Sequence, residues 1–151
     1  MLNKGLFSSD KDDWETPQKL FEKLNDRYHF VIDLAATSKN AKCKNYYTVE
    51  DDALNKDWSK VNGPKWLNPP YGRQLGLWVK KAYISSIKCK DPIVLLIPAR
   101  TDTSYWHEYI FYKAHIDFLR GRLKFEHNGS AGDSAPFSSA IVTYNFDTSW
   151  L

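Results

Sequence analysis

Cysteine is scarce in this chain. Its two cysteines, Cys43 and Cys89, lie far apart and outside any metal-type spacing. That excludes a disulfide framework and a cysteine-ligated zinc site, and it fits reduced thiols in a reducing compartment. The four histidines, His29, His107, His115 and His127, form no recognisable ligand set, so no metal is expected. Long apolar runs are missing too. The longest strongly apolar stretch, residues 93–97, is far shorter than the roughly 20 residues a membrane-spanning helix needs. Residues 1–13 are polar and charged and lack the apolar core of a signal peptide. A cytoplasmic protein without a membrane partner is the expectation. Neither an internal repeat nor a low-complexity tract is present, and neither sign of charge dominates. The net charge of +3 permits a polyanionic partner without requiring one.

What is present suits one soluble α/β domain. The chain has 151 residues, 42% hydrophobic and 26% charged, enough for a single buried core. Residues 1–13, ending in the acidic run Asp10-Lys11-Asp12-Asp13, read as a flexible arm. Residues 14–151 read as one domain. Aromatics reach 15%, a supply from which some rings can serve in stacking.

Apolar spacing places the elements. Thr16 and Pro17 suit an N-cap and a first helical residue, and Leu20, Phe21 and Leu24 continue a helix over about 17–26. The start of that helix could hold an anion such as a carboxylate. Residues 29–34 read as a buried strand ending in Asp33, followed by Ala35 and Ala36, small enough for a ligand to approach closely. Residues 46–49 form a short strand candidate leading into Glu50, Asp51 and Asp52. Asp57 lies beside Trp58. A strand at 65–67 precedes an amphipathic helix over 72–88, with Leu75, Trp78, Val79 and Ala82 on one face. A doubly buried strand at 93–97, a helix over about 104–113 and strands at 115–119 and 139–146 complete the alternation. The last strand can pair antiparallel with its predecessor. Residues 126–136, rich in Gly, Ser and Asn, read as a mobile loop. The order predicts a largely parallel sheet with an antiparallel final strand. Asp33, Glu50, Asp57, Asn68 and Arg100 then all fall at strand ends, where such sheets bind ligands.

The stretch Asn68-Pro69-Pro70-Tyr71 concentrates the chemistry. Each proline lacks an amide donor and fixes its own φ, and the residue before a proline is pushed towards extended backbone. A side-chain amide and an aromatic ring are thereby held on a stiff loop that suits a flat polar ligand such as a nucleobase.

With these residues assembled, the chain resembles the phage N-6-adenine-methyltransferase family of DNA methyltransferases. The likeness runs through Phe7-Ser8-Ser9, Trp14-Glu15-Thr16-Pro17 with Leu20-Phe21, Asp33-Leu34-Ala35-Ala36-Thr37, Asn40-Ala41-Lys42-Cys43, Asp57-Trp58, Asn68-Pro69-Pro70-Tyr71, Pro98-Ala99-Arg100-Thr101-Asp102 and Ser134-Ala135-Pro136-Phe137. The resemblance implies a Rossmann-like class I fold that binds S-adenosyl-L-methionine and transfers its methyl group to adenine N6 in double-stranded DNA. It also implies a phage- or prophage-encoded protein acting inside a bacterial host. Asn68, Pro69, Pro70 and Tyr71 match the catalytic motif. Trp14, Thr16, Pro17, Asp33, Ala35, Glu50 and Asp57 match cofactor-binding positions, with Asp51 an equal candidate to Glu50 for the ribose. Ala35-Ala36-Thr37 replaces the glycine-rich turn that many methyltransferases carry after the first strand. The motifs leave no room for a separate target-recognition domain.

Chemically, the Asn68 side-chain oxygen and the Pro69 carbonyl could accept both hydrogens of an adenine amine and favour a nucleophilic geometry at nitrogen. Tyr71 would stack on a base that has left the duplex. Arg73, Arg100, Arg120, Arg122 and Lys124 are candidates for phosphate contacts. Because the same loop suits any planar amine or amide, RNA or a protein glutamine is an alternative acceptor. A non-catalytic DNA-binding module on the same fold is another.

Overall fold

The computed structural model describes residues 14–150. The arm expected at 1–13 and the Phe7-Ser8-Ser9 lead-in lie outside them. Helix α1 spans Gln18–Tyr28, β1 Ile32–Asp33, β2 Lys65–Leu67, α2 Leu75–Ile87 and β3 Ile93–Pro98. Strand β4 spans His115–Phe118, β5 Glu126–His127, β6 Ser130–Ala131 and β7 Ser139–Tyr144. Five strands form one mixed sheet in the order β1-β2-β3-β7-β4, while β5 and β6 make a separate hairpin. β1, β2 and β3 pair in parallel, and β7 runs antiparallel to both β3 and β4.

Register places the helices on opposite faces. Trp66 pairs with Val94, which pairs with Thr143, whereas Lys65 and Ile93 share a row with Tyr144. Successive residues of a strand point to opposite faces, so Trp66 and Tyr144 face opposite ways. Phe21 of α1 meets Trp66 edge-on at 5.5 Å, and Tyr83 of α2 meets Tyr144 at 6.0 Å. The sheet is thus covered by α1 on one side and α2 on the other. Every residue of β3 and β7 is buried, as the continuous apolar run at 93–97 requires.

Several elements depart from expectation for local reasons. Pro17, not Thr16, stands immediately before α1, and no side chain of its own caps the helix. The strand expected at 29–34 shortens to two residues because His29, at φ 55°, closes α1 with its amide on the Asn25 carbonyl. The amide of Phe30 then bonds the Asn25 side chain. Residues 46–49 form no strand. Tyr46 makes a single parallel bridge to Asp33, and Thr48 then enters a short turn held by Asp51. The helix expected at 104–113 contracts to a wide turn over Trp106–Ile110, and Tyr112 follows in the left-handed region at φ 63°. Within the stretch expected to be a mobile loop, Glu126 pairs with Ala131 and His127 with Ser130. The turn between them, Asn128-Gly129, has positive φ at both residues, the conformation a two-residue hairpin favours. Among the described residues no helix is long and apolar enough to cross a membrane.

Candidate active site

Asn68 follows directly on β2, one residue from the strand's carboxyl end. Its side-chain nitrogen donates to the Trp14 carbonyl and to Thr16 Oγ1 at 3.0 Å. A carbonyl can only accept, so this partner fixes which end of the amide is nitrogen. The Asn68 Oδ1 is left as a buried acceptor with no partner among the described residues. An unpaired buried acceptor costs about 1–3 kcal/mol, and such atoms in a native fold call for an explanation. No described backbone amide donates to the neighbouring Pro69 carbonyl either. Asn68 thus offers a buried acceptor, adjacent in sequence to the Pro69 carbonyl, on a loop that its prolines keep stiff.

The strap that holds Asn68 is residues 14–17. Thr16, expected to cap α1, is instead buried, its hydroxyl bonded by Asn68. The anion expected at the start of α1 is supplied internally. Glu126 Oε2 accepts from the Gln18 amide at 2.9 Å, across 108 residues of sequence. Trp14 meets Phe125 at 5.4 Å and Phe137 at 5.1 Å, both edge-on.

Tyr71 is not an exposed platform. Its ring is 4% exposed and edge-on to Phe125 and Phe137, at 6.0 and 5.8 Å. Its hydroxyl donates to the Leu96 carbonyl of β3 at 2.7 Å. Burial pushes that hydroxyl well above its usual range, with the Arg100 charge drawing it partly back. The expectation that Tyr71 stacks on a base is therefore corrected for this conformation. The ring ties the Pro-Pro loop to the sheet, and Trp14, Phe125 and Phe137 surround the same corner.

Of the acids expected at strand ends, only Asp33 is found there; Glu50 and Asp57 sit at short turns, because no strand forms between β1 and β2. Asp33 closes β1 and is buried. Its oxygens accept from the Ala35 amide at 3.2 Å and the Lys42 amide at 3.0 Å, which folds residues 33–42 back over the end of β1. The Tyr47 amide bonds the Asp33 carbonyl. Burial raises the Tyr47 hydroxyl above its usual range, with the Asp51 and Asp57 charges adding to the effect. Tyr47, which local sequence did not single out, thus links three of the acids. Asp51 is partly committed, accepting from the Thr48 amide and hydroxyl through Oδ2. Asp57 accepts from the Ser59 amide and hydroxyl, next to the fully buried Trp58. Glu50 is exposed on the same turn as Asp51.

Asp33 gives a pH signature. Desolvation outweighs its two amide bonds and raises its carboxyl from 3.8 to about 6. The folded chain therefore binds a proton more readily than the unfolded one between these values. Linkage then makes Asp33 lower fold stability as pH rises through that window, by about 2–3 kcal/mol in all. Asp51 and Asp57 have the opposite sign, since hydrogen bonds from Thr48 and Ser59 lower their pKa. Their contribution is lost as pH falls. A carbon-13 titration of the Asp33 carboxyl is expected to give a midpoint near 6. A midpoint near the ordinary 3.8 would mean that the carboxylate is better solvated than its burial implies.

The cationic candidates are peripheral. Arg73, Arg100, Arg120, Arg122 and Lys124 are all exposed. Arg100 is near enough to act electrostatically on the Tyr71 hydroxyl. Arg122 reaches the Ala135 carbonyl at 3.5 Å. No group of three or more His, Cys, Asp or Glu residues among the described residues could hold a metal ion. The structure thus brings Trp14, Thr16, Asn68 and Tyr71 into one corner, with Pro17 on the same strap, and places Asp33 on the adjacent strand. The part played by Phe125 and Glu126 had no local signal. Phe137 lay within a motif whose role was unassigned.

Comparison with known proteins assigns a family. The sequence model of the family described as DNA N-6-adenine-methyltransferase (Dam) matches residues 4–145. Over 121 residues the chain is 33% identical to the DNA N-6-adenine-methyltransferase of Escherichia phage T1, a match covering 80% of this chain and 50% of that protein. Over 131 residues it is 29% identical to the protein of the same name from Haemophilus phage HP1, covering 85% of this chain and 74% of that one. The chain thus spans about half the length of the phage T1 relative. With a match over nearly its whole length, the chain belongs to the DNA N-6-adenine-methyltransferase (Dam) family.

Proposed function

We propose that this protein methylates N6 of adenine in DNA with S-adenosyl-L-methionine as methyl donor. The observation that carries the reading is the buried Asn68 Oδ1, without a partner among the described residues and oriented by the Trp14–Thr16 strap. The exocyclic amine of adenine has two N–H donors and a lone pair delocalised into the ring. Two fixed acceptors hold both hydrogens and draw the nitrogen out of conjugation, with no strong base required beforehand. Positioning of this kind can supply a large share of a rate enhancement. The target base leaves the duplex to reach the loop, at a cost of roughly a few kcal/mol.

The residues fit the donor. Asn68 and Asp33 stand at the carboxyl ends of adjacent parallel strands, the position where open α/β sheets take cofactors. The order β1-β2-β3-β7-β4, with only β7 reversed, supports a Rossmann-like class I arrangement. When bound, S-adenosylmethionine supplies a methyl group made electrophilic by cationic sulfur. Asp33 shapes the Ala35–Lys42 segment beside it, Thr16 and Pro17 face its methionine end, and Asp57 meets its adenine. Glu50 or Asp51, on one turn, meets the ribose. Arg73, Arg100, Arg120, Arg122 and Lys124 contact DNA phosphates, which makes binding weaken as salt rises.

Purified protein is expected to move label from S-adenosylmethionine into unmethylated DNA, and not into RNA or protein extract. Label in RNA or in a protein glutamine would reassign the acceptor. Absence of S-adenosylmethionine binding by calorimetry would favour a non-catalytic DNA-binding role.

A further inference from the structure

The strap that orients Asn68 is bonded on two sides among the described residues. It is four residues of irregular chain before α1, and on one side the Asn68 side chain bonds its Trp14 carbonyl and Thr16 hydroxyl. What fixes its other side is the β5–β6 hairpin. The Glu126 amide donates to the Glu15 carbonyl at 2.9 Å, making an isolated antiparallel bridge. The Glu126 carboxylate accepts from the Gln18 amide at 2.9 Å, at the positive end of α1. Phe125 and His127, on either side of Glu126, approach the Trp14 ring at 5.4 and 6.3 Å. Residues 14 and 16 thus serve Asn68, while residues 15 and 18 are bonded to one glutamate. Glu126 closes a connection from the hairpin through the strap to the reactive amide.

We propose that Glu126 is a positioning residue for Asn68, acting through residues 14–18. Its role in turnover rests on the methyltransferase reading, but its effect on the Asn68 amide does not. Loosening the Glu126–Gln18 bond lets the strap shift, and Trp14 and Thr16 then no longer set the plane of the amide.

Gln18→Pro isolates that bond. Proline removes the amide donor yet is well tolerated as a first helical residue. Pro17 already has the extended ψ of 129° that the residue before a proline needs. Gln18→Ala keeps the amide and deletes only the side-chain bonds to Glu22 and Lys42. Three quantities are read: kcat, KM for DNA, and solvent exchange of the Asn68 side-chain amide protons, assigned by their loss in Asn68→Ala. Gln18→Pro and Glu126→Ala are expected to lower kcat about tenfold or more with KM little changed, the cost of a small misplacement of reacting groups. Both should also speed the amide exchange. Gln18→Ala and Glu126→Gln, which keeps an acceptor, should stay near wild type in both. Wild-type kcat and amide exchange in folded Gln18→Pro would overturn the proposal, as would a fall in kcat without a change in exchange. If wild type itself transfers no methyl group, the methyltransferase reading fails, and the exchange comparison still decides the positioning role.

Discussion

Replacing Asn68 with alanine is expected to lower methyl transfer by about 10²–10³, the loss seen when one preorganised hydrogen-bonding group is removed from a reaction centre. The size follows from what the side chain does in two directions. Its nitrogen is held by the Trp14 carbonyl and Thr16 hydroxyl, which leaves its oxygen as the buried unpaired acceptor. Alanine deletes that acceptor, and no neighbouring group replaces it. The fold should tolerate the change, because it removes an unpaired polar atom as well as two bonds. Affinity for S-adenosylmethionine should fall much less than kcat, since the cofactor-facing strap loses two bonds while the acceptor needed during reaction is lost entirely. Asn68→Asp provides a graded control. It keeps an acceptor oxygen but sets its second oxygen against the Trp14 carbonyl, so its rate should lie between wild type and alanine. Equal rates for wild type and Asn68→Ala in a single-turnover assay would remove Asn68 from the chemistry.

Tyr71 should behave differently, with its largest effect on folding. The ring is buried among Phe125 and Phe137, so Tyr71→Ala is expected to cost about 3–5 kcal/mol of stability in urea unfolding, as for other buried aromatic truncations. Tyr71→Phe keeps the ring and loses only the bond to the Leu96 carbonyl, a change of about 1 kcal/mol. Activity should survive Tyr71→Phe, because the ring still pins the Pro-Pro loop to β3. A Tyr71→Ala protein that unfolds like wild type but fails in catalysis would instead return the ring to the role of base-stacking platform.

These two cases show where sequence informs and where it does not. Asn68 was legible because its neighbours are prolines, whose backbone constraints hold in any fold. The strand at 93–97 was legible because a continuous apolar run with flanking proline has few alternatives, and that at 65–67 because Trp66 and Leu67 lead into the Pro-Pro loop. Tyr71 was legible as a site residue but not in its contacts, because local sequence cannot say whether a ring points into a cleft or into the core. Phe125 lies 54 positions from Tyr71, and its approach depends on how the chain returns after β4. Thr16 has the chemistry of a helix cap, yet Asn68 claims its hydroxyl and a distant glutamate caps the helix. Long-range pairing won over local preference at that position. The hairpin at 126–131 was hidden for the opposite reason. Its Asn-Gly turn is a good local signal, but the polar residues around it read as a loop. Asp33 was expected to meet the cofactor on the strength of its strand-end position. Its oxygens turn inward to the Ala35 and Lys42 amides, a contact that only the folded segment can reveal.

The most direct measurement of the central claim is nucleoside mass spectrometry of unmethylated DNA incubated with S-adenosylmethionine and the purified protein. N6-methyldeoxyadenosine should accumulate with wild type, at an initial rate about a hundredfold or more above that with folded Asn68→Ala. A methylated base other than N6-methyladenine, or equal N6-methyladenine from wild type and Asn68→Ala, would contradict it.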